Sequence, residues 1–227
     1  MPAALPSITP GTISPRYLRG LVGPSASVIL EIGANDGSHT RELLAQFPSA
    51  TIYAFEPDPR AYAKFTARIN DPRVRAVNAA IGAADGEAEF HVSSGLPPDM
   101  AAETAANYAQ GWDQSGSLRA PKTHKTVWPW CRFDAAISVR VHKLDSFAHE
   151  NGIARIDLIW ADTQGAEGDL IAGGGQTLTK TRFFYTEYSD EEWYEGQPTL
   201  QQLADMLPAF KIIHRFPMDV LFKNMTL

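Results

Sequence analysis

Glu31, Asn35, Asp36 and Glu56 are the densest group of ligand-binding side chain types, set around the loop Gly33-Ala34-Asn35-Asp36-Gly37. Glycines at 33 and 37 let backbone approach a ligand closely, and a carboxylate at Glu31 can accept hydrogen bonds from an ammonium. Glu56 follows about 20 residues beyond the glycine loop, the spacing at which a carboxylate takes both hydroxyls of a ribose as donors. A dinucleotide is disfavoured. Its G-x-G-x-x-G loop would need glycine where Asn35 stands, and Glu31, Asp36 and Glu56 repel a pyrophosphate. A zwitterionic or cationic nucleoside fits this charge pattern. The competing reading makes Gly33 and Gly37 simple turn residues and Glu56 a helix cap.

These residues need elements to position them. Val28 to Ile32 is a short apolar run, followed by the glycine loop and a helical period at Thr40, Leu43, Leu44 and Phe47. Thr51 to Phe55 reads as a second strand, and Asp58-Pro59 as a helix start with Tyr62, Phe65 and Ile69 on one face. Val74 to Ala80 reads as a third strand, after which Glu87 to Val92 is expected to turn back as a hairpin. From about 93 to 135, prolines, glycines and three tryptophans break the rhythm, leaving room for one short helix near Ala101 to Tyr108. Order resumes with Ser138 to Leu144, a helix from Ser146, and Ile156 to Ala161, whose unbroken apolar character suits a strand covered on both faces. A helix through Leu170 and Ile171 is expected to stop at Gly173-Gly174-Gly175, before a strand at Arg182 to Thr186. Thr199 and Gln202 form a capping box for a helix, and Phe210 to Phe216 with Val220 to Phe222 have hairpin spacing. The fold class expected is α/β: a Rossmann-like, mostly parallel sheet closed by a C-terminal antiparallel hairpin, with ligands beyond the carboxyl ends of the strands.

The whole-chain composition narrows the function classes. With 227 residues, 44% hydrophobic and 20% charged, the chain can bury a full core and is neither disordered nor fibrous. A formal charge of -6 leaves no surplus of cations for a phosphate backbone, so no nucleic-acid partner is expected. The lone Cys131 rules out an intrachain disulfide, a thiolate zinc cluster and a CxxC redox pair. The first twenty residues carry Pro2, Pro6, Pro10 and Pro15 and no apolar run of signal-peptide length, and no stretch nears the ~18 apolar residues of a membrane span. A cytoplasmic location and no membrane partner are expected.

In order along the chain stand EIGANDG, FEPDP, VNAAIGAADGEAEF, VHKLDSF, IDLIWADTQGAE and TEYSDEEWYEG. Together they resemble the FkbM-like family of S-adenosylmethionine-dependent methyltransferases, from about Val28 to the C-terminus and most weakly across 93–135. The resemblance implies a seven-stranded methyltransferase sheet and methyl transfer to a hydroxyl of a small metabolite such as a sugar or polyketide. It implies residues 1–27 as an N-terminal extension and 28–227 as a single methyltransferase domain with an irregular insertion at about 93–135. It further implies that Gly33, Asn35 and Gly37 line the methionine part of the cofactor with Glu31 near its amino group. Glu56, with Pro57 beside it, would hold the ribose, and Asn78, Ala79 and Ala80 would border the adenine. Thr163 departs from the aliphatic residue usual at that position.

Asp162, placed by the resemblance opposite the transferred methyl, is the first choice of base; His124 and His142 are the others, since imidazole titrates near neutral pH. Each histidine also has a bland reading, as a loop residue and a half-exposed strand residue. Glu167 and Glu187 can join Asp162 as oxygen ligands of a magnesium-like cation, a lesser reading than Glu167 as a helix-start carboxylate. Lys122 and Lys125 offer contacts to an anionic substrate, and Trp112, Trp128, Trp130 and Tyr108 offer ring stacking or core packing. Two other functions stay open: a nicotinamide-dependent oxidoreductase or epimerase, and a non-catalytic cofactor-binding relative that uses the tryptophans to hold a partner. The acceptor and the oligomeric state are not fixed by the sequence.

Overall fold

The computed structural model describes residues 5–227; residues 1–4 of the expected N-terminal extension lie outside the described residues. Helix α1 (Pro15–Val22) is capped by Ser14, whose hydroxyl accepts from the Tyr17 amide at 3.2 Å. Then come β1 (Val28–Ile32), α2 (Ser38–Gln46), β2 (Thr51–Phe55), α3 (Pro59–Arg68) and β3 (Val74–Val77). Asp58 caps α3 through the Arg60 amide, with Pro59 in the first turn where its missing N–H costs nothing. Strands β4 (Ala80–Gly82) and β5 (Gly86–Ser94) precede the short helices α4 (Ala102–Ala105) and α5 (His124–Val127). Strand β6 (Arg132–Lys143), α6 (Leu144–Glu150), β7 (Ile156–Ala161), α7 (Glu167–Gly173), α8 (Gly175–Thr179) and β8 (Thr181–Glu187) follow. Helix α9 (Leu200–Met206) opens on the Thr199–Gln202 capping box, before β9 (Phe210–Arg215) and β10 (Asp219–Asn224).

The main sheet has the order β3-β2-β1-β7-β8-β10-β9, with β10 antiparallel to both neighbours and the other pairs parallel. The strand order therefore reverses between β1 and β7, where crossovers leave a crevice at the carboxyl edge. Alternation along the strands divides the core. Leu30, Ile32, Ile159 and Phe184 face Phe147, Leu170 and Leu203, on α6, α7 and α9. Ile29, Ile52, Leu158, Trp160 and Tyr185 face Leu18, Val22 and Leu43, on α1 and α2.

Two expectations are corrected. Val74 to Ala80 is not one strand, because the chain leaves the main sheet after Val77. Strands β4 and β5 do not form a hairpin; β6 lies between them, parallel to β4 and antiparallel to β5, with Ala80, Phe90, Val139 and Val141 as a small second core. The helix through Leu170 and Ile171 does stop at the glycines, α7 ending at Gly173, and the separate short helix α8 opens at Gly175.

The segment between β5 and β6 is irregular but stitched down. His91 and Ser117 exchange two backbone hydrogen bonds, and Lys122 and Glu195 amides donate to Trp193 and Ala120 carbonyls at 2.7 and 2.8 Å. Among the described residues no helix is long and apolar enough to cross a membrane.

Candidate active site

Backbone geometry at the end of β1 fixes the floor of the site. Gly33 has φ +89, and a Cβ there would lie 1.9 Å from the Asp162 carbonyl oxygen, so only glycine lets the loop pass the end of β7. Gly33 and Ala34 amides donate to Phe55, the Asp162 amide donates to Ile32, and Asn35 takes φ 45, a left-handed turn that asparagine tolerates. The Asn35 amide then points at Glu56, donating to Oε2 at 2.8 Å, while the Asp58 amide donates to Oε1 at 2.7 Å. Glu56 is thus held by two backbone donors at the carboxyl end of β2. Burial raises its pKa to about 8, against the lowering effect of those two bonds. Each oxygen keeps a further lone pair for a donor from a ligand.

Above this floor lies a cavity of about 520 Å³, within the range of small-molecule sites. Of the residues expected to meet the cofactor, Gly33, Asn35, Glu56, Pro57, Ala79 and Ala80 line it. Glu31, Gly37 and Asn78 do not. Glu31 is fully buried beneath the loop, accepting from Thr40 Oγ1 while its Oε1 has no partner, and burial raises it to about 8. Gly37 is the left-handed residue before α2. Asn78 donates to the Glu56 carbonyl at 2.7 Å, holding that residue's backbone from behind.

Asp162, Gln164, Glu187 and His124 line the same cavity. Gln164 Nε2 donates to Asp162 Oδ1 at 2.7 Å and to Glu187 Oε2 at 3.3 Å, joining the ends of β7 and β8. Burial is the main cause raising Asp162, with the Asp219 charge adding to it and the Gln164 bond and His39 opposing it. Glu187 is pushed well up, first by the Asp162 charge and then by burial. His124 is buried at 4% exposure among Trp128, Phe133 and Tyr194; its Nδ1 has no partner, and burial lowers it to about 4. It stays neutral and serves as an aromatic wall better than as a base. His142 is corrected: it sits in the second sheet opposite Ile81, packs on Phe147, and does not line the cavity.

The proposed cation set does not fit either. Glu167 is spent on the start of α7, its Oε1 accepting from Thr163 Oγ1 at 2.8 Å and from the Thr163 and Gly165 amides. Among the described residues no three His, Cys, Asp or Glu side chains group to hold a metal ion. Lys122 pairs with Glu192 and, like Lys125, lies off the cavity, so the expected anion contacts are absent from its walls. The buried Cys131 has its thiol pushed up by burial and stays unreactive.

Trp112, Trp128 and Trp130 turn inward and line the cavity, with Tyr108 supporting Trp112 at 4.8 Å. Trp193, His39, Asp113 and Met218 line it too and carried no role in the sequence reading. No periodic signal marks them, since each stands in a loop or at an element's first turn. The charged lining residues Asp36, Glu56, Asp113, Asp162 and Glu187 are all acidic. This is a site for a cationic or neutral ligand.

The chain is similar to several known proteins. The sequence model of a family described as "Methyltransferase FkbM domain" matches residues 31–214. The chain is 45% identical over 214 residues to 2-O-methyltransferase NoeI of Sinorhizobium fredii, covering 92% of this chain and 84% of that protein. It is 27% identical over 158 residues to Methyltransferase 1 of Beauveria bassiana, covering 66% of this chain and 59% of that one. Among solved structures, a putative S-adenosylmethionine dependent methyltransferase from Listeria monocytogenes superposes with TM-score 0.43 at 9% identity, over 93% of this chain and 98% of that one.

Proposed function

This chain belongs to the FkbM methyltransferase family, and from that premise we propose that it uses S-adenosylmethionine to methylate a hydroxyl oxygen of a small, ring-bearing metabolite. The observation that carries this reading is that Glu56 and Asp162 line one cavity, from strand ends on either side of the glycine loop. A relative 45% identical that is named a 2-O-methyltransferase supports oxygen as the acceptor atom.

When bound, the cofactor supplies an electrophilic methyl group on a sulfonium. Glu56 accepts hydrogen bonds from the ribose hydroxyls, Asn35 and Gly33 border the methionine part, and Pro57, Ala79 and Ala80 flank the base. The acidic lining attracts the cationic end of the ligand and disfavours a pyrophosphate, which weighs against a nicotinamide cofactor. Asp162 would take the proton of the acceptor hydroxyl, whose oxygen would receive the methyl group as the cofactor's S–CH₃ bond breaks and leaves a neutral thioether. The raised pKa of Asp162 brings it nearer the range in which a base works at neutral pH. Alignment of the reacting atoms contributes ~7–11 kcal/mol and the base about 10²- to 10⁴-fold. Trp112, Trp128, Trp130 and Trp193 wall the acceptor side and suit the apolar face of a ring. Residues 28–227 act as one methyltransferase domain, with 93–135 as the insertion that roofs the acceptor. The inward tryptophans weigh against a scaffold that displays them to a partner protein.

Calorimetry with S-adenosylhomocysteine tests the cofactor half, and labelled methyl transfer to a panel of alkyl glycosides tests the acceptor half. Glu56→Ala should lose binding, whereas Asp162→Asn should keep binding and lose turnover. Absence of any heat from folded protein at millimolar ligand would overturn the reading.

A further inference from the structure

Gln164, in the turn after β7, has φ 52 and is one of two non-glycine residues in the left-handed region among the described residues. The other, Asn35, presents its amide to Glu56. A long unbranched side chain rarely takes this conformation, so the surroundings must hold Gln164 in it. They do so from two sides. The Gln164 carbonyl accepts from Ser117 Oγ at 2.7 Å, and a Cβ at the following Gly165 would lie 2.8 Å from the Tyr194 Cβ, so glycine there lets Tyr194 close directly on the turn.

The turn aims the side-chain amide at the acids. Nε2, which carries two hydrogens, donates to Asp162 Oδ1 at 2.7 Å and to Glu187 Oε2 at 3.3 Å, while Oε1 lies 3.0 Å from the Tyr194 hydroxyl. Turned over, the amide would set its oxygen against two carboxyl oxygens. The Tyr194 hydroxyl, kept protonated by burial that pushes its pKa up, has the Ser115 carbonyl at 2.9 Å as its second acceptor. A chain of contacts therefore runs from Ser115 through Tyr194 and Gln164 to Asp162. Its last bond takes one of about four lone-pair sites on the Asp162 carboxylate, so Asp162 keeps acceptor capacity for a substrate hydroxyl in the cavity it lines. The same bond favours the ionised carboxylate against the burial that raises it.

We propose that Gln164 is a positioning residue for methyl transfer: its amide, held by Tyr194 and the left-handed turn, fixes the Asp162 carboxyl in the direction from which it receives the acceptor's proton. This rests on the reading of Asp162 as base. Gln164 itself gains and loses no proton. A catalytic group misplaced by about 1 Å can cost on the order of 10²-fold in rate, so a single well-aimed hydrogen bond is enough to matter.

Two variants separate positioning from folding. Gln164→Asn keeps an amide and suits the left-handed turn, but its side chain is one methylene too short to bridge the acids; Gln164→Met keeps the length without a donor. Gln164→Asn should melt with the wild type and bind S-adenosylhomocysteine with a Kd close to that of the wild type. In both variants, methyl transfer from S-adenosylmethionine to alkyl glycosides should lose about 10- to 100-fold in kcat while KM for the glycoside barely moves. Adding Gln164→Asn to Asp162→Asn should cost nothing further, because nothing is left to position. A full further loss in that background overturns the proposal, and so does an unchanged kcat in the single variants. Wild-type turnover in Asp162→Asn would instead sink Asp162 as base. The contact itself can be read without any acceptor. In proton–nitrogen NMR of the full chain saturated with S-adenosylhomocysteine, the Gln164 side-chain NH₂ signals, assigned by their loss in Gln164→Met, should shift in Asp162→Asn. Signals that stay in place overturn the proposal whatever the activity.

Discussion

Glu31 and Glu56 are carboxyls at the ends of neighbouring strands, one beneath the glycine loop and one facing the cavity, and both are raised by burial from 4.5 to about 8. Between those values the folded protein keeps protons that the unfolded chain has released, so stability falls as pH rises through this window and levels off above it. Each group contributes a slope on the order of 1.4 kcal/mol per pH unit. The melting temperature of the ligand-free protein should therefore drop between pH 5 and 8, and Glu31→Gln should flatten that drop while leaving S-adenosylhomocysteine bound. Ligand binding through ionised Glu56 has the opposite dependence. Ribose hydroxyls donate best to the carboxylate, so binding expels a proton and affinity should climb up to about pH 8, a trend calorimetry in buffers of differing ionisation enthalpy can read. At this scale Glu56 was legible because its distance from the glycines is set by one βα unit. His39 and Trp193 were not, since a single histidine or tryptophan in irregular chain has no spacing to betray which way it points.

Strand β1 and the loop after it work as one element with β7, and Gly33 is where they touch. Gly33→Ala would set a Cβ 1.9 Å from the Asp162 carbonyl and strain a φ of +89 as well. A loss of at least about 2 kcal/mol follows from overpacking and left-handed strain together. Denaturant melts should register it, and S-adenosylhomocysteine binding should weaken more than for a distant variant of equal stability, because Asn35 and Glu56 move with the loop. Elements such as β1, β2, β7 and α3 were legible with nearly their observed bounds, for their apolar runs and the Asp58-Pro59 cap are local signals. The pairing of β4 and β5 was not. Their common partner β6 begins at Arg132, and no local pattern tells a strand that its neighbour arrives so much later in the chain.

Across the whole molecule, the segment from Gly95 to Cys131 closes the site by clasping both halves of the sheet. On one side Asn35 Nδ2 donates to the Asp113 carbonyl at 2.9 Å, Lys64 pairs with the Asp113 carboxylate at 2.5 Å, and Arg60 donates to the Gln110 and Ser93 carbonyls. On the other, the fully buried Tyr194 hydroxyl lies 2.9 Å from the Ser115 carbonyl and 3.0 Å from Gln164 Oε1. The first clasp depends on charge. Asp113 is 5% exposed and its Oδ1 has no partner, so the paired Lys64 supplies a cation that offsets burying it. Lys64→Met should leave that carboxylate unpaired and cost about 1–3 kcal/mol, below the penalty for a fully buried pair because Lys64 is partly exposed. The loss should be local: hydrogen exchange should quicken across 95–118 and the Kd for S-adenosylhomocysteine should rise, while β7 and β8 stay protected. The double variant Lys64→Met with Asp113→Asn removes the charge along with its partner, and exchange and affinity should return most of the way. Failure of that rescue would mean that the segment is held by its backbone contacts alone.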